Sequence, residues 1–327
     1  MALAVMPDFV CAPTNSISPT VQPFARANVS APSPTLPHAP GAAPERKPLS
    51  LNWLGVLPFF AFALLFMLLP TAYLMVGAFQ DADGHFTLNN LAGLLEANVL
   101  DAYWISFKIS VASSAAGGLL GFLLAWAAVL GKLPGWIRPT LMTFSGVASN
   151  FAGVPLAFAF LATLGRMGLV TLLLRTYLDF NIYSTGFSIL SFTGLTLTYL
   201  YFQIPLMVLI VTPALEGLKK EWREACDCLG GSTLQYWRYV AMPVLWPSIL
   251  GAMLLLFANA FGAVATAYAL TGSSLNIVPI LLYAQIRGDV LHNPNLGYAM
   301  ALGMIVITGL ANAGYMVLRS KTDRRSA

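Results

Sequence analysis

The chain has 327 residues, of which 57% are hydrophobic and only 9% charged, with a formal net charge of +4. A soluble domain carries about a quarter charged residues, so a surface this poor in charge must largely face lipid rather than water. The small positive excess is spread along the chain and forms no nucleic-acid patch, and three cysteines, Cys11, Cys226 and Cys228, form no even, spaced disulfide framework.

Residues 1–48 hold ten of the 21 prolines among Ala, Ser and Thr and lack apolar periodicity, which predicts a disordered tail. The short apolar run before Cys11 is broken by Pro7 and Asp8 and does not make a signal peptide, so the tail reads as cytosolic. A hydrocarbon core of about 30 Å takes roughly 20 helical residues. Six runs are long enough: 51–79, 103–130, 139–164, 187–211, 248–270 and 296–318. Lys108 lies about one turn inside the second, where its stem can reach the interface. The chain therefore divides into a tail (1–48), an all-α transmembrane domain of six helices (49–320) and a short C-terminal tail (321–327).

Basic residues set the orientation, because short cytoplasmic loops retain them. Arg26, Arg46, Lys47, Lys132, Arg138, Lys219, Lys220, Arg223, Arg238, Arg319, Lys321, Arg324 and Arg325 fall on one side, while Arg166, Arg175 and Arg287, with Lys108 at the rim, fall on the other. Both termini are expected in the cytoplasm. On the opposite side, 168–178 and 277–286 are too short to span and read as interfacial or re-entrant helices, or as covers for span ends.

The longest cytoplasmic connection, 213–247, starts as an amphipathic helix with Leu215, Leu218, Trp222, Ala225, Cys226 and Leu229 on one face and Glu216 paired with Lys220. Gly230 and Gly231 stop it, Ser232 and Gln235 form a capping box for a second helix, and Pro243 closes that helix or bends it into the fifth span. The segment Glu224-Ala225-Cys226, Gly230 six residues after the glutamate, and, after nine intervening residues, Val240-Ala241-Met242-Pro243 resemble the EAA loop of binding-protein-dependent ABC permeases. Cys226 stands where the family has a second alanine, and Val240 and Met242 where it has Ile and Leu. Residues 149–165 are similar to the polyamine-type (spermidine/putrescine) group.

The resemblance implies a type I ABC importer (MetI-like) fold in a bacterial inner membrane. It implies a cytosolic ATPase dimer docked on Glu224, Ala225, Cys226, Gly230, Leu234 and Pro243, with Arg223 and Glu224 setting register at the rim. It further implies a second permease subunit, in a heterodimer, and an external solute-binding protein. No G-x-x-x-x-G-K-[ST] loop occurs, so ATP is expected to be hydrolysed on another subunit, and no cofactor is expected.

A secondary transporter or channel would carry paired inverted repeats with broken helices and intramembrane charge, and the sequence shows neither. A membrane enzyme would need a catalytic cluster, whereas His38, His85 and His292 are scattered over the tail and two outer loops. Ser145, Ser149, Asn150, Tyr199, Gln203, Asn259 and Thr266 lie at mid-span. Of these, Ser149, Asn150, Gln203, Asn259 and Thr266 are candidates for a translocation path, with interhelical hydrogen bonding as the competing role. Gly153-Val154-Pro155 and Gln203-Ile204-Pro205 place prolines after two of them, where freed carbonyls can face a cavity.

Overall fold

A computed structural model describes residues 56–81, 83–131, 133–287 and 293–326. The tail (1–48), the start of the first span, Lys132 and His292 lie outside the described residues. Six helical stretches are long and apolar enough to cross a membrane: Leu57–Gly77, Ala97–Leu130, Val154–Leu178, Phe192–Glu216, Thr233–Phe261 and Pro294–Ser320.

The first span is α1 (Leu57–Ala63) and α2 (Leu69–Gly77), joined by a π-helical turn, Leu64–Leu68, directly before Pro70. A proline ring collides with the carbonyl four residues back, and widening the preceding turn relieves that collision without ending the helix. After the short α3 (Asn89–Gly93) comes α4 (Ala97–Leu130), whose 34 residues reach about 51 Å, well beyond the hydrocarbon. It begins six residues earlier than the apolar run predicts. Lys108 therefore lies three turns below the helix tip rather than one, with its Nζ 5.5 Å from the Trp104 ring centre.

The expected single third span, 139–164, is two helices, α5 (Ile137–Asn150) and α6 (Val154–Leu164), interrupted at 151–153. Gly153 sits at φ 77° and ψ −148°, a conformation that only glycine adopts without strain, and Pro155 starts the next helix. The α7 helix (Leu169–Leu178) follows; it is the short outer helix that the sequence predicts, and Tyr177 and Leu178 on it are exposed.

The fourth span, α8 (Phe192–Glu216), is the central and most buried one. It carries Pro205 and Pro213 internally and runs five residues past the predicted end at 211. Packing fixes which half of the third span faces which half of α8. Leu141 and Met142 of α5 pack with Val211 and Leu215, whereas Leu156 and Ala157 of α6 pack with Leu195 and Tyr199. By this packing the third crossing is α5 plus α6, although by length and apolarity alone the stretch Val154–Leu178, α6 plus α7, also qualifies.

Beyond α8, α9 (Lys220–Cys228) and α10 (Thr233–Tyr236) form a bent surface element. A π-helical turn, Trp237–Ala241, then connects α10 to α11 (Met242–Phe261) with no break in the helix. Of the two expected roles for Pro243, closing the second helix or leading it into the fifth span, the continuous helix fits the second; as before Pro70, the π turn absorbs the ring. The fifth span is itself interrupted at 262–263, before α12 (Val264–Thr271). The remaining elements are α13 (Val278–Arg287), which matches the predicted outer helix at 277–286, and α14 (Pro294–Ser326). The α13 helix covers span ends: Val278 and Leu281 are buried with Val99, Ala102, Leu296 and Met300.

Two spans thus carry breaks where the sequence predicts continuous helices. Only the break at Gly153-Val154-Pro155 has a strong local signal. The other falls at Gly262-Ala263 with no proline, so tertiary packing decides it.

With no hydrophobic drive between helices in lipid, close backbone approach holds such a bundle together. The α4 helix meets α8 along Gly117 and Gly121. A Cβ on Gly117 would stand 2.6 Å from the Gln203 Cβ, and one on Gly121 would stand 2.6 Å from the Ile204 carbonyl oxygen.

Candidate coupling elbow and polar path

The elbow is built from backbone chemistry. The α9 helix ends at Leu229 and passes into Gly230 at φ 73°, the left-handed position for which glycine is the low-cost residue. The Gly231 N–H donates to the Cys226 carbonyl at 2.9 Å and the Gly230 N–H to the Asp227 carbonyl at 3.0 Å, the paired bonds of a Schellman motif. The Ser232 hydroxyl accepts from the Gln235 N–H at 3.3 Å, while the Gln235 side-chain oxygen accepts from the Ser232 N–H at 2.7 Å. The predicted glycine stop and capping box are both formed.

Side chains then lock the two helices together. Arg223 donates to Asp227 Oδ2 at 3.2 Å and to the Thr233 hydroxyl at 2.8 Å, and its guanidinium lies 5.2 Å from the Tyr236 ring centre. It is therefore a clasp between α9 and α10, a role the sequence reading did not assign to it. Trp237 meets Trp126 of α4 edge to face at 5.8 Å, so the elbow rests on the end of the second span. The expected Glu216–Lys220 pair is absent because α8 stops at Glu216. That glutamate instead pairs with Arg138 at the start of α5, and Leu215 is buried inside the bundle rather than on the elbow's outer face. The opposite charges of Arg138 and Glu216 at neighbouring span ends, and Arg223 with Asp227 four residues on, were the available sequence signals for these contacts.

The outward side of the elbow is apolar and open. Leu229 is 89% exposed and Leu234 76%, with Glu224 and Ala225 also exposed and Cys226 half-buried. A groove of about 610 Å³ runs beside them, lined by Trp222, Ala225, Cys226, Leu229, Tyr239 and Pro243 among others. Of the six expected docking residues, Ala225, Cys226 and Pro243 line this groove, while Glu224, Gly230 and Leu234 are exposed and do not line it.

The mid-span polar residues divide into two groups. Gln203 is fully buried and donates from Nε2 to the Leu256 carbonyl at 3.1 Å, while its Oε1 has no partner among the described residues. Thr266 is buried and accepts the Gly153 N–H at 2.7 Å; Tyr199 donates to the Ala263 carbonyl at 3.0 Å. The first bond ties the break in the third span to α12 just past the break in the fifth, and the second ties that fifth-span break to α8, which supplies partners for backbone groups that hydrocarbon would leave unpaired. Ser145 is buried too. In contrast, Asn150 and Asn259 are exposed and Ser149 is half-buried, each placed within three residues of a break.

No protein-family model matches the chain. The spermidine/putrescine permease protein PotB of Haemophilus influenzae is 23% identical over 258 residues, covering 77% of this chain and 88% of the relative. A probable sulfate permease protein, cysT, of Nephroselmis olivacea is 25% identical over 237 residues, covering 69% and 78%. Among solved structures, a bacterial ABC transporter involved in alginate import superposes with a TM-score of 0.61 at 14% identity, over 84% of this chain and 95% of that one.

The fold is that of an ABC importer permease, with six membrane-crossing helices among the described residues. The chain's homologues are permease proteins of ABC transport systems, not enzymes, and the resemblance to the polyamine-type group holds alongside one to sulfate permeases.

Proposed function

We propose that the chain is the permease subunit of a bacterial ABC importer and a multi-pass inner-membrane protein with both termini in the cytoplasm. Its cargo is a small charged solute delivered by a binding protein. The observation that carries this reading is the elbow: a clasped helix pair, continuous through α11 with the membrane domain, that presents an uncovered apolar groove in the EAA register. A rigid element of this kind can transmit motion of a docked ATPase into the fifth span. Glu224, Ala225, Cys226, Gly230, Leu234 and Pro243 form the docking face. The functional unit is a permease domain at 49–320 between a tail (1–48) and a C-terminal tail (321–327), paired with a second permease subunit, an ATPase dimer and a binding protein. The curated relatives that support a heterodimer include both PotB and PotC permease proteins. The alginate transporter has been captured with a periplasmic protein bound to an alginate pentasaccharide.

Ser149, Asn150 and Asn259 face the path, whereas Gln203 and Thr266 hold its walls. No charged residue sits at mid-span, so selectivity rests on the binding protein rather than on the path. Polyamines are the first cargo on resemblance. Sulfate is the second reading, favoured by the cysT relatives.

The test is reconstitution of the chain with the permease, ATPase and binding protein encoded beside it, followed by uptake of labelled spermidine and sulfate into proteoliposomes. ATP-dependent accumulation of either solute supports the function and names the cargo. Solute movement driven by an ion gradient without the ATPase would replace the reading with a secondary transporter.

A further inference from the structure

A second groove, of about 570 Å³, lies on the membrane side of the elbow, between the ends of α8, α11 and α14. Its walls are Ile210 and Pro213 of α8, Pro247 and Gly251 of α11 and Tyr315 of α14, and Arg319 closes its outer end. From Pro243 to Gly251 the groove follows α11 for about 12 Å, close to the depth of one leaflet's hydrocarbon, which is about 15 Å. At its deep end a Cβ on Gly251 would stand 3.1 Å from the Tyr315 ring, so the missing side chain keeps the floor low.

The outer end has the opposite character. Arg319 is exposed, donates to the Tyr315 hydroxyl at 3.4 Å and makes no ion pair among the described residues. Lys321, Arg324 and Arg325 follow it in the sequence. An apolar slot one leaflet deep that ends in unpaired positive charge matches an acyl chain carrying a phosphate head. Basic pockets between membrane helices on the cytoplasmic side recognise anionic lipids in this way.

We infer that this groove binds one anionic phospholipid of the cytoplasmic leaflet, with an acyl chain along Pro213, Pro247 and Gly251 and its phosphate on Arg319. The inference rests on the orientation proposed above. Because Trp222 and Pro243 line both grooves, the lipid braces the inner side of the elbow whose outer side receives the ATPase.

The experiment uses the full chain purified in mild detergent, offered phosphatidylglycerol and phosphatidylcholine, with bound lipid read by native mass spectrometry. The parental chain is expected to retain one phospholipid and to prefer phosphatidylglycerol. Arg319→Gln should lower that preference about fivefold, the weight of one surface arginine. A phosphatidylglycerol with a photoactivatable chain should label peptides of α8, α11 and α14 in the parental protein, a readout that needs no variant to fold. Absence of preference, an unchanged preference in Arg319→Gln, or labelling elsewhere overturns the inference. Deletion of residues 2–43 should leave occupancy unchanged; a rise would make the tail the occupant and overturn it as well. These readings need neither ATPase nor cargo, so they stand apart from the fate of the proposed function, and thiol labelling of Cys228 reports the orientation independently.

Discussion

Replacement of Gly230 isolates the elbow from the rest of the protein. Its φ of 73° costs a residue with a Cβ about 1–2 kcal/mol, which is a factor of roughly 5 to 30 in the population of the bent form. An added Cβ meets no heavy atom of the chain within 4 Å, so nothing inside the permease resists the side chain itself. Gly230→Ala therefore carries the conformational penalty alone, and Gly230→Asn, which tolerates the left-handed region, carries less of it. Gly230→Phe adds bulk where the ATPase is proposed to sit. The expected order of bound ATPase is parental, then Asn, then Ala, with Phe near zero, while all four accumulate in the membrane alike. One membrane preparation gives both quantities, by blotting permease and ATPase, and substrate-stimulated hydrolysis gives the coupling. If the Phe variant kept its ATPase and transported at the parental rate, the elbow would not be the docking element and that assignment would be withdrawn.

Three further outcomes are expected. Cys228, exposed, should react with an impermeant thiol reagent faster than half-buried Cys226, and only from the cytoplasmic side; labelling in intact cells would reverse the orientation. Thr266→Val leaves the Gly153 N–H without its acceptor, a loss of about 1–3 kcal/mol, so the melting midpoint in detergent should fall, and Thr266→Ser should restore it; equal midpoints for Val and Ser would show that the bond between the two breaks does not matter. Arg223→Gln removes a partly exposed ion pair worth no more than about 1 kcal/mol, so thermal stability should hardly change. Hydrogen exchange in α9 and α10 should nevertheless quicken, and unchanged exchange would remove Arg223 as the clasp.

The crossing helices, the end of α9 and the start of α10 were legible in the sequence because each depends on neighbours along the chain. A run of about 20 apolar residues has one use in lipid, and a glycine pair followed by Ser232 and Gln235 satisfies backbone groups within a few residues. The apolar side of the elbow was also legible, since helical spacing alone aligns Trp222, Ala225, Cys226 and Leu229.

Contacts between distant segments were not. Arg223 read only as a rim residue, and its clasp contacts exist because the fold-back of α10 brings Thr233 and Tyr236 to it. Glu216 had Lys220 four residues away and Arg138 across the bundle; the end of α8 decided for Arg138. The same reason governs the polar residues. Asn150, Gln203, Asn259 and Thr266 are chemically alike in a sequence of apolar spans, and which of them are spent on neighbouring helices depends on where the third and fifth spans break. Those breaks are affordable in a membrane only because Thr266 and Tyr199 satisfy the freed backbone from another helix, a condition that local sequence cannot express and the packed bundle supplies.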